Sequence, residues 1–583
     1  MRSNLRYDKI LADATIYDGT GRVPFHSDLG VIGDRIAALG DLSEAETADR
    51  ISLSGLALCP GFIDVHDHVD FSAAHENQHE LLEPMLRQGV TTAVGGNCGV
   101  SLAPIGEENR EIQMAFYDFF IGQSQEDRIH WTTMNGFFEH LEDIGLVLNL
   151  GVLAPHGMLR MIAMGNRIAL ADRPAMERMK RDLEACLDAG CLGLSTGLQY
   201  FPGSASDTPE LVELARLVRK YNGVFTSHLR SYNSNTIMQA VEEVLAVGRE
   251  AEVRAQISHL FWAPNFGDRI NPIFSRVVRG ASWLYNKRPF PVPIDAATRP
   301  ILDHVAGLID EGMPVGIDAM PTAAGFTHML AFFPPWSLEG QREDITERIR
   351  NPSTRAEIRR SIETGQAVWP HRDKDTWSMN LFKILGWGGV YIMSVVSEQN
   401  QHLIGKSMTA IGKEQGKHPF DAACDLLLEE EGRVLVFETA TYPGDPFVEL
   451  SLIPSLVDPN VSVVTDAILF GFGLPSHLFF DCYPKFLGLY VRDKGRLPLR
   501  EAIRKCTSLP ASQLQIKQRG RIEEGCFADL VAFDPARIRT RSTAMDPKHW
   551  PAGIEYVLVN GSVVVDPDGY HPDPRPGRLL RGG

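Results

Sequence analysis

No stretch of this 583-residue chain approaches the roughly 18 consecutive apolar residues that a membrane-spanning helix needs. The amino-terminal MRSNLRYDKILADATIYDG has neither a long apolar segment nor a small-residue cleavage site, so the chain reads as a cytoplasmic protein. Its eight cysteines are scattered, with no C-x-x-C. That excludes a disulfide framework and leaves reduced thiols as the default. Positive charge is short as well: 57 Lys and Arg against 74 Asp and Glu leave a net charge of −17. This balance argues against nucleic acid or an anionic membrane surface as a partner. It does not identify a substrate, and it leaves homo-oligomerisation open. At 44% hydrophobic and 22% charged the composition is that of an ordinary soluble globular protein, long enough for a large barrel enzyme.

The most telling positive feature is Cys59-Pro60-Gly61-Phe62-Ile63-Asp64-Val65-His66-Asp67-His68, an apolar, strand-like run ending in two histidines spaced i and i+2. Alternate residues of a strand share a face, so both imidazoles point the same way and can serve one metal ion. With 18 histidines in the chain, chance gives about half an H-x-H, so the spacing gains weight only from its context. That context repeats. Further apolar or β-branched runs end in Cys98, His228, His259 and Asp466. Five such runs, each closed by a metal-competent or titratable side chain, suit a site at the carboxyl ends of parallel strands. His66, His68, Cys98, His228 and His259 are therefore assigned as metal ligands. Zn²⁺, one ion or two, fits imidazole and thiolate donors, and a thiolate can bridge a pair. Asp466 is the one carboxylate of this set left to act as general base. Its assigned work is to take a proton from a metal-activated water and return it to a leaving group.

Strands alternate with amphipathic segments of helix length, such as residues 177–190, 210–221 and 236–250. This predicts an α/β fold with a (β/α)8 TIM-like barrel. The strand ends fall at His66, Cys98, about Leu153, Ser195, His228, His259, Asp318 and Asp466. A ninth run, residues 433–439, competes for the seventh place. Residues from about 320 to 402 are rich in Pro, Trp and charge and read as a lid-like insertion over the active-site face.

Taken together, these pieces resemble the amidohydrolase superfamily, and within it the N-acyl-D-amino-acid deacylases. The resemblance rests on PGFIDVHDH, QGVTTAVGGNCGVSLAP, GLSTGLQYFPG, TSHLR, AQISH, VGIDAMP and SVVTDA, and continues through KCTSLPA and RGRIEEGCFADLVAFDP. It runs from about Lys9 to about Val564. The Asn97-Cys98-Gly99 turn marks the subfamily, and no lysine stands on the fourth strand where many relatives carry a metal-bridging one. In the resembled family both chain ends pair into a small β-sandwich. The organisation this implies is the amino-terminal half of the sandwich over 1–56, the barrel over 57–512, and the carboxyl-terminal half with a flexible tail over 513–583.

The implied activity is hydrolysis of a non-peptide-chain amide, an N-acyl-D-amino acid giving a carboxylate and an amino acid. Alternatives are another amide, cyclic amide or lactone with an apolar body, and an inactive metal-binding scaffold. Four residues are candidates for substrate contact. Tyr200 places a hydroxyl near the scissile group or merely packs. Arg230 pairs with a substrate carboxylate or with a structural acid. His156 reads more as a scaffold residue, and His477 follows Asp466 on its loop. The resemblance also breaks. Family members continue the sixth strand as His-His-Lys, whereas here it reads His259-Leu260-Phe261-Trp262; tyrosines flanking the seventh-strand proline are replaced by Met320 and Thr322. The acidic pair after the fifth-strand arginine is Ser231-Tyr232. Without that cation, either another group such as Arg230 takes over the substrate carboxylate or the substrate lacks it.

Overall fold

Eight parallel strands follow one another in chain order: β1 (Phe62–Asp64), β2 (Val90–Gly95), β3 (Asn149–Val152), β4 (Gly193–Gly197), β5 (Val224–His228), β6 (Arg254–Ile257), β7 (Val315–Ala319) and β8 (Val461–Val463). The computed structural model describes residues 6–123, 128–267, 270–292, 298–368, 376–468 and 470–583. Residues 1–5 of the amino-terminal stretch and 369–375 of the AVWPHRDKDTW run lie outside the described residues. Strands β1, β2 and β3 form one parallel sheet, and β4 to β8 another. Ala154–Pro155 extends the third strand past Leu153 and pairs with β4. Each strand is buried along almost its whole length, which is why it reads as a continuous apolar run rather than an alternating one. At the open edges, the Asp466 amide donates to the His66 carbonyl at 2.9 Å and the His68 amide to the Ala467 carbonyl at 2.8 Å. The result is a mixed α/β fold with helices such as Arg173–Ala189, Thr208–Lys220 and Ile237–Ala251 between the strands.

The two ends of the chain do meet. Leu530–Phe533 runs antiparallel to Ala57–Pro60, and Tyr7–Ile16 pairs with the same strand on its other side. Hydrogen bonding joins the terminal strands into one nine-stranded sheet. The expected flexible tail is corrected. Leu579–Leu580 pairs in parallel with Leu150 and Gly151 of β3, beside the point where β3 breaks. Gly577 lies so close to Leu148 that a Cβ there would sit 2.1 Å from its carbonyl oxygen. Proline and glycine, which read as flexibility, here fix an extended segment at close approach.

The ninth run is settled too. Leu435–Glu438 lies in a three-stranded antiparallel sheet between Gly325–His328 and Val390–Ser394. It does not join the parallel set, and β7 keeps the seventh place. A short buried run looks the same in either setting, which is why its sequence left the choice open. The stretch between β7 and β8 therefore continues as folded structure past His402, through Met408–Gln415, Pro419–Glu429 and Leu435–Glu438. Among the described residues no helix is long and apolar enough to cross a membrane.

Candidate metal centre

Three of the assigned residues sit just past a strand end, where the backbone turns through a left-handed conformation: Cys98 (φ 53°), His259 (φ 34°) and Asp466 (φ 54°). Such geometry costs roughly 1–3 kcal/mol per residue and persists where surrounding structure imposes it. The close approach of β4 contributes to this: a Cβ on Gly197 would lie 2.1 Å from the Cys98 carbonyl oxygen. Only glycine admits that loop.

The side chains converge. Cys98 Sγ lies 3.3 Å from His66 Nε2, 3.6 Å from His228 Nδ1 and 3.7 Å from His259 Nε2. Asp466 Oδ1 lies 3.4 Å from His68 Nε2 and 3.6 Å from His66 Nε2. With metal–ligand bonds near 2.0–2.3 Å, tetrahedral zinc holds neighbouring donors about 3.3–3.6 Å apart, so these spacings fit a common ion better than mutual hydrogen bonds. Asp466 Oδ1 is a buried oxygen with no hydrogen-bond partner, as expected of an atom reserved for a cation. Two ligand groups emerge, His66–His68–Cys98–Asp466 and Cys98–His228–His259, with Cys98 in both. All five predicted ligands and the predicted base are thus brought together.

Electrostatics agree with a cation. Burial holds His66 and His228 well below the usual imidazole range, and repulsion among the neighbouring imidazoles adds to it. His259 is lowered chiefly by burial. Neutral imidazoles are the form that ligates. Burial pushes the Cys98 thiol well up, helped by the charges of Asp466 and Asp318; a dication is what offsets that penalty and makes the thiolate.

Outer contacts fix ring orientation, and the sequence alone did not assign them. Tyr232 Oη meets His259 Nδ1 at 2.9 Å, which turns Nε2 toward Cys98. Gln199 Oε1 lies 3.3 Å from His228 Nε2, leaving Nδ1 for the cluster. Asp318 accepts from the His259 amide at 2.5 Å and from Gln256 at 2.7 Å, and lies 3.9 Å from His66 Nδ1. Burial pushes this carboxyl up to about 7, despite those hydrogen bonds. The visible hints were a strand-end aspartate and a tyrosine four residues beyond a ligand.

The four substrate candidates divide. Tyr200 stays at the site, its ring 4.7 Å from the His228 ring. It lines a cavity of about 20 Å³ with His68, Cys98, His228 and Asp466, bordered also by Phe326, Thr327 and Met393 of the insertion and by Leu435 beyond it. Arg230 is corrected. Its guanidinium is wholly buried and grips Glu243 with two nitrogens at 2.9 and 3.0 Å and the Ser204 carbonyl at 2.8 Å. His477 is corrected as well, being buried against Lys485 at 3.0 Å, which itself pairs with Glu449. His156 is a scaffold residue, 2.8 Å from Glu210, which also pairs with Arg160.

That last network carries a stability prediction. Burial alone would raise Glu210, but the His156 hydrogen bond and the Arg160 charge outweigh it and bring the carboxyl to about 2. A carboxyl lowered on folding adds stability that is complete above its unfolded value near 4.5 and is lost as pH falls through its folded value. Glu210→Gln is expected to cost about 3 kcal/mol at pH 7, with the deficit shrinking from about pH 5 to about pH 2. Thermal unfolding of both proteins across that range measures it; a deficit that stays constant with pH would refute the assignment.

Residues 458–565 match the Amidohydrolase family. D-aminoacylase of Alcaligenes xylosoxydans xylosoxydans is 27% identical over 567 residues, covering 96% of this chain and 94% of its own. A D-aminoacylase structure with a binuclear metal centre, described as showing one-metal activation and second-metal attenuation, superposes with a TM-score of 0.73 at 25% identity, covering 99% of this chain and all of that one. N-acyl-D-glutamate deacylase of Bordetella bronchiseptica, solved with zinc and a phosphonate that mimics the tetrahedral intermediate, gives a TM-score of 0.74 at 25% identity over 99% of this chain and all of that one.

Proposed function

We propose that this chain, an amidohydrolase-family protein by sequence and fold, hydrolyses the amide of an N-acyl-D-amino acid to a carboxylate and a D-amino acid with zinc as its cofactor. The observation that carries this is the partnerless Asp466 oxygen poised among His66, His68 and Cys98. When bound, zinc polarises the scissile carbonyl and acidifies the attacking water. Cys98, His228 and His259 would hold one ion with a position left open, and His66, His68, Cys98 and Asp466 a second. Asp466 takes the water proton and passes it to the leaving nitrogen, and its carboxylate is free for this when the four-residue group holds no ion. Tyr200 reaches the same small cavity and orients the acyl oxygen. A scaffold needs no such base, so Asp466 speaks against an inactive metal protein.

In this reading the eight parallel strands close as a barrel at the His66–Asp466 seam, and the terminal sheet folds around Leu11, Ile16, Leu29 and Leu530 as the flanking sandwich. Eight free cysteines support a reducing, cytoplasmic setting. The net charge of −17 supports a small-molecule partner over nucleic acid or an anionic membrane.

The test is amine release by the zinc-loaded protein from N-acyl-D- and N-acyl-L-amino acids and their neutral methyl amides. Turnover of the D-acids over the L-acids is expected. Turnover of the methyl amides alone would keep the chemistry and overturn the substrate class, whereas an inert protein would overturn both.

A further inference from the structure

The cavity above the cluster, about 20 Å³, is too small for an acylated amino acid. Beside it lies one of about 460 Å³, within the range of small-molecule sites. The two share the Gly325–His328 strand: Gly325 borders the larger space, Phe326 and Thr327 the smaller. Leu260 and Met320, one residue past His259 and two past Asp318, also line it. Of the residues that break the family pattern, Leu260, Phe261, Trp262, Met320 and Thr322 line this cavity.

Its described lining contains no Lys, Arg or His, and a single charged side chain, Glu438. This carboxylate is half-buried. Its Oε2 is buried without a hydrogen-bond partner, and its Oε1 lies across Gly325, where a Cβ would meet it at 2.5 Å. Gly325 is thus the opening that admits the carboxylate. Burial pushes Glu438 up to about 7 with nothing to oppose it. Arg230, the one cation suspected of facing substrate, is spent on Glu243. An anion alone in an apolar cavity is costly until a cation pairs with it.

We infer that the larger cavity seats the substrate's side chain, and that Glu438 selects a cationic group, an ammonium or guanidinium at the end of an apolar stem. This rests on the amide-hydrolase reading and names the substrate class within it: N-acyl derivatives of basic amino acids, in contrast to the acidic amino acid named for the deacylase relative.

The test is binding and turnover of N-acetyl-D-lysine, its neutral isostere N-acetyl-D-norleucine and the acidic N-acetyl-D-glutamate. Binding is read by calorimetry on zinc-loaded Asp466→Asn protein, and turnover on the wild type. A charged hydrogen bond predicts that the lysine derivative binds about tenfold tighter than norleucine, and that Glu438→Gln, which keeps the shape over Gly325, erases the difference. Equal binding of the two, or tighter binding of the glutamate derivative, overturns the inference, and the unsubstituted pocket alone decides this. Selection of the cation with no turnover of any amide would sink the hydrolase reading and leave the cavity assignment standing. Turnover without selection would do the reverse.

Discussion

Asp466→Asn is expected to lower kcat by about 10³ while at least one zinc per chain, held by Cys98, His228 and His259, stays bound. General acid–base catalysis contributes roughly 10²–10⁴, and this side chain is asked to handle the proton in both directions. Asparagine preserves the shape and one oxygen, so the left-handed turn and the seam to His66 have no reason to move. Cys98, His228 and His259 form a ligand group without Asp466, which is why the metal should remain. Steady-state kinetics beside elemental analysis by mass spectrometry decides the matter. Activity within tenfold of the parent protein would remove Asp466 from catalysis, and joint loss of zinc and activity would make it a ligand instead of a base.

The metal centre was legible because its parts obey local rules. The assigned residues stand at the end of a buried parallel strand or no more than four positions past it, with His66 and His68 in the turn between β1 and the next helix rather than on the strand itself. Parallel strands in chain order bring those ends together without further information. What failed to show were contacts decided by distant approach. Arg230 looked available because the fifth strand places it two residues past a ligand; Glu243, thirteen residues on and buried in helix Ile237–Ala251, claims it. His477 is claimed by Lys485 in the same way. Tyr232 appeared only as a departure from an acidic pair, yet it holds His259 across twenty-seven residues. The tail and the 433–439 run were misjudged or left open because composition and a short apolar run describe the chain, not its neighbours.

The recognition shell shows the opposite pattern. The loss of the lysine and the tyrosines was visible as substitutions, and those positions do line one apolar cavity. What the sequence could not show was that its charge would be negative, because Glu438 arrives from an antiparallel strand more than a hundred residues downstream. In the proposed reading the chemistry is kept and the selectivity changed, since Glu438 comes from a strand that carries none of the assigned ligands.

Removing the shared sulfur should be more damaging to metal binding than removing any one histidine. Cys98 is the one residue present in both ligand groups. Cys98→Ala leaves His228 and His259 as a pair and His66, His68 and Asp466 as a trio, and the open three-ligand site becomes a two-ligand one that no longer holds zinc firmly. His228→Ala, by contrast, leaves the group His66–His68–Cys98–Asp466 complete. The expected results are zinc below one ion per chain and kcat/KM reduced by at least about 10² for Cys98→Ala, since even outer-shell partners of a metal cost roughly 10–100-fold. For His228→Ala zinc stays near one per chain with a comparable loss of activity, because the retained ion then sits in the group that engages Asp466. Elemental analysis after dialysis against a weak chelator separates the two. Equal zinc in both variants would mean that Cys98 serves a single ion, and the sulfur bridge would have to be abandoned.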